Sequence, residues 1–398
     1  MTPYSGEAEA VSAEPALLSA ADLAADHLMA GLADQVRFLL EVTPVNADEV
    51  RAEFLADPNT EPVFHYRELD VRPDVLSSQL DALPLESIED PTVGNLLRAR
   101  HREMELRVEM LRARDTPDFL ALSIEQYGAV LPRLRKVATD LFERLPTGKL
   151  DDERVGAEEF LEAALAELDY YREIDPDVGI HAEIRDDVTG VLVDGDTLMI
   201  SVNATVAQGR VHALLQHEVG THLVTQVNGA NQPLKMLGSG LAHYDETQEG
   251  LAVLAEVGCG GLTAARLRQL AARVVAVDSL THGASFIDTF RLLTEAGMPD
   301  GGAYLTTMRV HRAGGFTKDA VYLRGLLDLF EHVAHGGSLD MFFLGKFSLE
   351  DLPLVQDLYR RGLLQPARIL PRWLNDDEAL NRIRQAAGTD DLLTLVSH

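Results

Sequence analysis

Apolar residues recur at helical spacing along most of this 398-residue chain and switch to alternation in one short stretch. From Ala20 to Val42, residues Leu28, Leu32, Val36, Leu39 and Leu40 share one side of a helix. Residues 43–90 are broken by prolines and short apolar groups, which predicts loops, short strands and short helices. The pattern predicts further helices over Pro91–Ala113, Thr116–Gly128, Val130–Leu145 and Glu158–Tyr171, with a polar break at Pro146–Gly156. Between 180 and 203 the period drops to two. His181–Ile184, Gly190–Val193 and Thr197–Val202 are β-branched and alternating, and Asp194-Gly195 is a hairpin signal. Helices are expected again near 206–226, 246–257, 262–277, 285–296 and 318–335, with short helical segments to the end. The fold class is α+β, helix-dominated, with a small antiparallel sheet preceding the helix near 206–226. Residues 1–16 are expected to be a disordered acidic tail, 17–175 a mainly helical region, and 176–398 the region carrying the chemistry. The last two are equally compatible with one continuous domain.

Composition narrows the function classes. The chain has 64 acidic and 35 basic residues, a formal net charge of −29. Residues 1–200 hold −25 of this and residues 201–398 only −4. Such a balance repels nucleic acid and anionic membrane surfaces, so neither is expected as a partner. One cysteine, Cys259, excludes an internal disulfide framework and a Cys-rich metal site, and suits a reducing compartment. The N-terminus has no signal-peptide pattern, and no run of about 18 apolar residues exists. A cytoplasmic protein is expected. Nothing in the sequence bears on oligomeric state.

The sharpest feature is Gln216-His217-Glu218-Val219-Gly220-Thr221-His222. Two histidines flank a glutamate that follows the first of them. In the common zinc-peptidase helix the histidines are four apart and share a face. Here they are five apart, and a regular helix would splay them by about 140°. Both can meet one metal only where the helix ends or is widened, as a π-bulge widens it. Gly220 relaxes the backbone between them. Downstream, Tyr244 to Ala252 begins another helix, with Asp245 and Gln248 resembling a capping box. Glu249 and Glu256 lie seven apart on one face of that apolar helix. Buried carboxylates need partners, and a metal held by two imidazoles is one such partner. Two histidines and a carboxylate plus water form the open arrangement of catalytic zinc.

HEVGTH followed by an apolar stretch and QEGLA resembles the bacterial QEGLA-motif proteins. These are similar to the MATCAP-type metallopeptidases, which include tubulin tyrosine carboxypeptidases. The resemblance extends through Asn228-Gly229, Gln232-Pro233-Leu234, Gly240-Leu241, Tyr244-Asp245 and Phe316 to Gly325, and covers most of the chain from about residue 30. It implies Zn2+ on His217, His222 and Glu249, with Glu218 as general base. It also implies hydrolysis of a peptide bond, as a carboxypeptidase acting on a peptide or protein C-terminus. The alternative is a metal-binding regulatory protein that keeps the fold without hydrolysis. Glu218 separates the two, since a purely structural zinc site needs no base beside its ligand.

A peptidase also needs a donor for the developing oxyanion and a cation for a terminal carboxylate. Candidates cluster in Arg309 to Arg324. Tyr322 is expected as the oxyanion donor, sharing a face with Lys318. Arg312, Lys318 and Arg324 are the expected carboxylate binders, and Thr317 can cap the helix that follows. Glu256 is expected to orient a histidine from behind. Arg185 either lines a groove or pairs with Asp186 or Asp187. Cys259 reads as a packing residue, and Arg266, Arg268 and Arg273 as a solvated helix face. The overall acidity is expected to disfavour acidic peptides.

Overall fold

A computed structural model describes residues 17–147, 153–188, 190–389 and 391–396. The N-terminal tail read as disordered lies outside these residues. The architecture is helix-dominated α+β, as the periodicity predicts. The main core runs from Ala25 to Ala386 and draws buried side chains from both the N-terminal helices and the later ones.

The first helix covers Ala20–Ala33. Ser19 caps it reciprocally with Asp22, each side chain accepting the other's backbone N–H. The single helix expected to Val42 stops at Ala33 and resumes only over Phe38–Glu41. Tertiary burial explains the break, because Phe38 and Val42 leave the main core for a second one with Met110, Phe119 and Phe316. Residues 43–90 form helices at Ala47–Ala56 and Pro73–Asp81, and none of the short strands expected there. Pro91–Arg112 starts with Pro91 behind the Asp90 cap and carries a buried ionic row described below.

Strands β1 (Arg154–Gly156), β2 (His181–Arg185), β3 (Val191–Asp194), β4 (Thr197–Ser201) and β5 (Thr205–Ala207) form two small sheets. β3 and β4 are the expected antiparallel hairpin, with Asp194 opposite Thr197 and Gly195 at φ +57° in the turn. β2 joins the other edge of β4 in parallel, which alternation alone could not reveal. β1 and β5 pair antiparallel. β3 and β4 pack along the segment that carries the two histidines.

The helix Tyr244–Gly258, here the carboxylate helix, packs most extensively on Val321–Ala334. Gly250 is the contact point. A Cβ there would sit 2.5 Å from the carbonyl carbon of Gly325. Gly250→Ala is therefore expected to force the helices apart and cost about 3 kcal/mol, by the overpacking of a site that cannot yield. Denaturant unfolding reads this, and a stability within 0.5 kcal/mol of wild type (~) would contradict it.

A helix at Asp300–His311 was not anticipated, since Gly301 and Gly302 in its first turn hide the pattern. It ends where Ala313, Gly314 and Gly315 all take positive φ. His311, in its last turn, hydrogen-bonds Thr289 Oγ1 at 2.9 Å and packs on Phe286. Burial pushes its pKa down to about 4. An unfolded histidine takes its proton near 6.5 (~). Between these values the unfolded chain binds more protons, so His311 contributes stability above pH 6.5 that is lost as pH falls to 4. His311→Gln is expected to flatten that part of the stability–pH curve by up to about 3 kcal/mol relative to wild type. Parallel curves for the two proteins would contradict this.

Candidate metal centre

The histidine segment begins as an α-helix over Val211–His217, becomes π-helical over Glu218–Leu223, and returns to α over Val224–Ala230. The widening that the five-residue spacing demands is therefore present where it is needed. Thr221 Oγ1 donates to the Gln216 carbonyl five residues back at 3.1 Å, which supports the wide turn. Gly220 serves space rather than conformational freedom. Its φ is not positive, but a Cβ there would sit 2.8 Å from Gln216 Oε1. Gln216 is itself held by Glu167 at 3.0 Å.

The widened turn brings the rings of His217 and His222 to 5.2 Å between centroids, at 80° to one another. Glu249 Oε2 lies 3.7 Å from His222 Nε2. One donor atom from each of His217, His222 and Glu249 falls within 4.8 Å of the others. Two imidazoles and a carboxylate at this separation are a donor set that could hold one metal ion. Behind His217, Glu256 Oε1 meets Nδ1 at 2.9 Å, leaving Nε2 for the metal side.

Glu256 is fully buried and clamped by two further cations. Arg210 Nη2 reaches it at 2.8 Å and Arg266 Nη2 at 3.1 Å. Burial alone would raise its carboxyl, but Arg266, His217 and Arg210 outweigh it and keep it far below the usual range. Arg266 is thus no solvated-face residue. Arg268 is not one either, since it is buried and donates to the carbonyls of Phe142, Leu145 and Ala296.

Glu249 is held from the other side. Lys318 Nζ lies 3.1 Å from Glu249 Oε1 and 3.2 Å from Asp245 Oδ1. Lys318, expected to bind substrate, instead fixes one oxygen of the third ligand and leaves Oε2 facing His222. Asp245 continues to Arg107 at 3.0 Å, Arg107 to Glu103 at 2.9 Å, and Glu103 to Arg100 at 2.8 Å. Burial opposes the charge on Glu103, yet Arg107 and Arg100 hold its pKa down at about 2. A buried ionic row therefore runs from the Pro91–Arg112 helix to the metal side. It also overturns the expected capping box, because Asp245 is spent on these cations and the carboxylate helix has no side-chain cap. Thr317 likewise caps nothing and bonds the Ser123 carbonyl.

Glu218 stands apart from these networks. Its carboxylate lies 4.0 Å from His217 Nε2. Among the described residues it accepts no hydrogen bond. Burial raises its pKa from the usual carboxylate value, with the neighbouring histidines opposing. Tyr322 lies beside Glu249, with Lys318 Nζ 5.6 Å from its ring centroid. Burial first, and Glu249 second, push its pKa up and keep the phenol protonated.

The other expected substrate binders are committed elsewhere. Arg312 is buried, donates to Thr43 Oγ1 at 2.9 Å and stacks on Phe316. Arg324 pairs with Glu246 and donates to the Tyr127 carbonyl at 2.6 Å. It lines a cleft of about 820 Å³ that also takes in His243, Asp245, Asp328 and His332. That cleft flanks the start of the carboxylate helix and holds none of the three ligands. Arg185 pairs with Asp187 and Glu183, and Cys259 donates weakly to the Glu256 carbonyl. Lys346, which the sequence did not single out, is half-buried with Gln226 as its hydrogen-bond partner and Tyr244 beneath it. Burial pushes its pKa down to about 8. No local pattern marks it, since it sits in an irregular segment that only the fold brings near His222.

The profile of the microtubule-associated tyrosine carboxypeptidases matches residues 52–389. Microtubule-associated tyrosine carboxypeptidase 1 of Mus musculus is 30% identical over 210 residues, and the Homo sapiens protein is also 30% identical. The Rattus norvegicus protein is 29% identical. Each match covers 49% of this chain and 42% of the relative, so it spans less than half of those longer proteins. No described helix is long and apolar enough to cross a membrane. With the profile spanning most of its length, the chain belongs to the microtubule-associated tyrosine carboxypeptidase family.

Proposed function

We propose that the protein is a zinc-dependent carboxypeptidase that removes residues from the C-terminus of a peptide or protein. The observation that carries this reading is Glu218. It is a carboxylate with no hydrogen bond among the described residues, 4.0 Å from a ligand nitrogen, beside three donors spaced for one metal. A metal site that only stabilised the fold would gain nothing from a free carboxylate there. Kinship with proteins named as tyrosine carboxypeptidases supports the exopeptidase direction and suggests a C-terminal tyrosine.

His217, His222 and Glu249 would hold the zinc, with Glu256 and Lys318 fixing the orientation of the first and third. Zinc, when bound, supplies a Lewis acid and a water of lowered pKa. Glu218 takes the proton from the attacking water and returns it to the departing amine. Burial raises its pKa, which eases its taking of that proton. Tyr322, kept protonated, donates to the oxygen on which charge develops.

The test is digestion of a peptide library with variable C-termini by the zinc-loaded protein, with products read by mass. Release of single C-terminal residues supports the reading. Cleavage confined to internal bonds, or no product on any library, would defeat it.

A further inference from the structure

Several cations crowd the segments around Glu249 and Tyr322, and they differ in what engages them. Lys318 sits between Glu249 and Asp245. Arg266 is on Glu256 and Arg324 on Glu246. Arg312 donates to Thr43 but is itself buried, and its Nε is sealed from solvent with no partner. Arg309 forks Asp319 with two bonds of 2.6 and 2.7 Å.

Arg273 differs in keeping donors that are neither hydrogen-bonded among the described residues nor sealed from solvent. Its acidic neighbour is Asp319 at 3.7 Å, whose two oxygens are already taken by Arg309. Among the described residues its guanidinium makes no hydrogen bond. Its side chain is only 11% exposed, yet its nitrogens are not among the sealed polar atoms. The guanidinium lies 4.7 Å from the ring centroid of Tyr322, the ring that also borders Lys318 and hence Glu249. Burial and the charge of Arg309 push its pKa down to about 10, as expected of a cation short of a counter-charge. A stacked, nearly buried guanidinium with free donors is arranged for a planar anion.

The geometry points to Arg273 as the residue that receives a carboxylate of the substrate, the free C-terminal one, while Tyr322 keeps its guanidinium flat. This rests on the carboxypeptidase reading above and replaces the expected roles of Arg312, Lys318 and Arg324. The same chemistry is offered by an Asp or Glu side chain, so the test separates the two sources.

Full-length zinc-loaded Glu218→Gln protein, which should bind without turnover, is titrated with fluorescent peptides ending in Tyr. One carries a free carboxylate and one a C-terminal amide. A third peptide amide ends in Glu. The free acid is expected to bind about 10- to 100-fold tighter than either amide, the range of charge-assisted bonds. Adding Arg273→Gln should shrink that gap to about twofold (~) with metal content unchanged, while Arg273→Lys should restore part of it. Lys also keeps a cation over Tyr322 should the Gln variant fail to fold, and its loss should fall on the acid and spare the amide. An unchanged gap in the folded variants overturns the inference, as does full recovery of affinity by the Glu-ending amide. Equal binding of acid and amide by the parent overturns it too. Wild-type protein that neither binds nor cuts any peptide overturns the carboxypeptidase reading along with it, which separates the two failures.

Discussion

Glu218→Gln is expected to lower kcat by about 10²- to 10⁴-fold, the range for removing a positioned general base, and to leave bound zinc at one per chain. The substitution keeps the shape of the side chain. It removes only the ability to hold a proton. Its carboxylate is not one of the three clustered donors, and among the described residues it carries no hydrogen bond, so the fold should not notice. The measurement is kcat on the best library peptide, alongside metal analysis and a melting curve. Activity within threefold of wild type (~) would remove Glu218 from the mechanism, because a change that small is outside any base role. Loss of zinc together with activity would instead make Glu218 a ligand.

Glu256→Gln is expected to cost more in stability than any other single change near the site. The amide can still accept from His217 Nδ1, but the charge facing Arg210 and Arg266 is gone. Two guanidiniums then lie against a neutral group that is fully buried. Breaking a buried pair on one side costs about 3–5 kcal/mol. Zinc affinity should also fall about 10- to 100-fold, since the carboxylate raises the basicity of the ligand behind which it sits. Denaturant unfolding of zinc-loaded protein and competition with a chelator read the two effects separately. A variant as stable as wild type, with unaltered zinc affinity, would show that Glu256 does not orient His217.

The legibility of the site differs from residue to residue. His217, His222 and Glu249, which the structure brings together, stood out because candidate metal ligands carry a local code: residue type, spacing, and apolar surroundings that make a carboxylate costly. The five-residue spacing even stated its own condition, a widened turn, and the structure contains it at Glu218–Leu223. The cations had no such code. Arg312, Lys318 and Arg324 stood near a motif and looked available, while Arg266 and Arg273 stood on a helix rich in arginine and looked solvated. Their seven-residue spacing on one face was the signal that went unused. What a cation does depends on which carboxylate meets it, and those meetings are long-range. Glu256 is 39 residues from His217, Lys318 69 from Glu249, and Arg107 138 from Asp245.

The same division holds for the fold. By itself the sequence determined that the chain is mostly helical, that a short hairpin lies at 191–201, and that two histidines and two glutamates stand at spacings that suit a metal site. These depend on periodicity and on the conformational needs of residues a few positions apart, which every segment carries with it. Only the tertiary structure decided that the first helix stops at Ala33, that β2 runs parallel to β4, that Asp245 serves an ionic row instead of a cap, and that Arg273 has to share Asp319 with Arg309. Each of these is settled by competition for burial and counter-charge among segments far apart in the chain, and that competition exists only once the chain is packed.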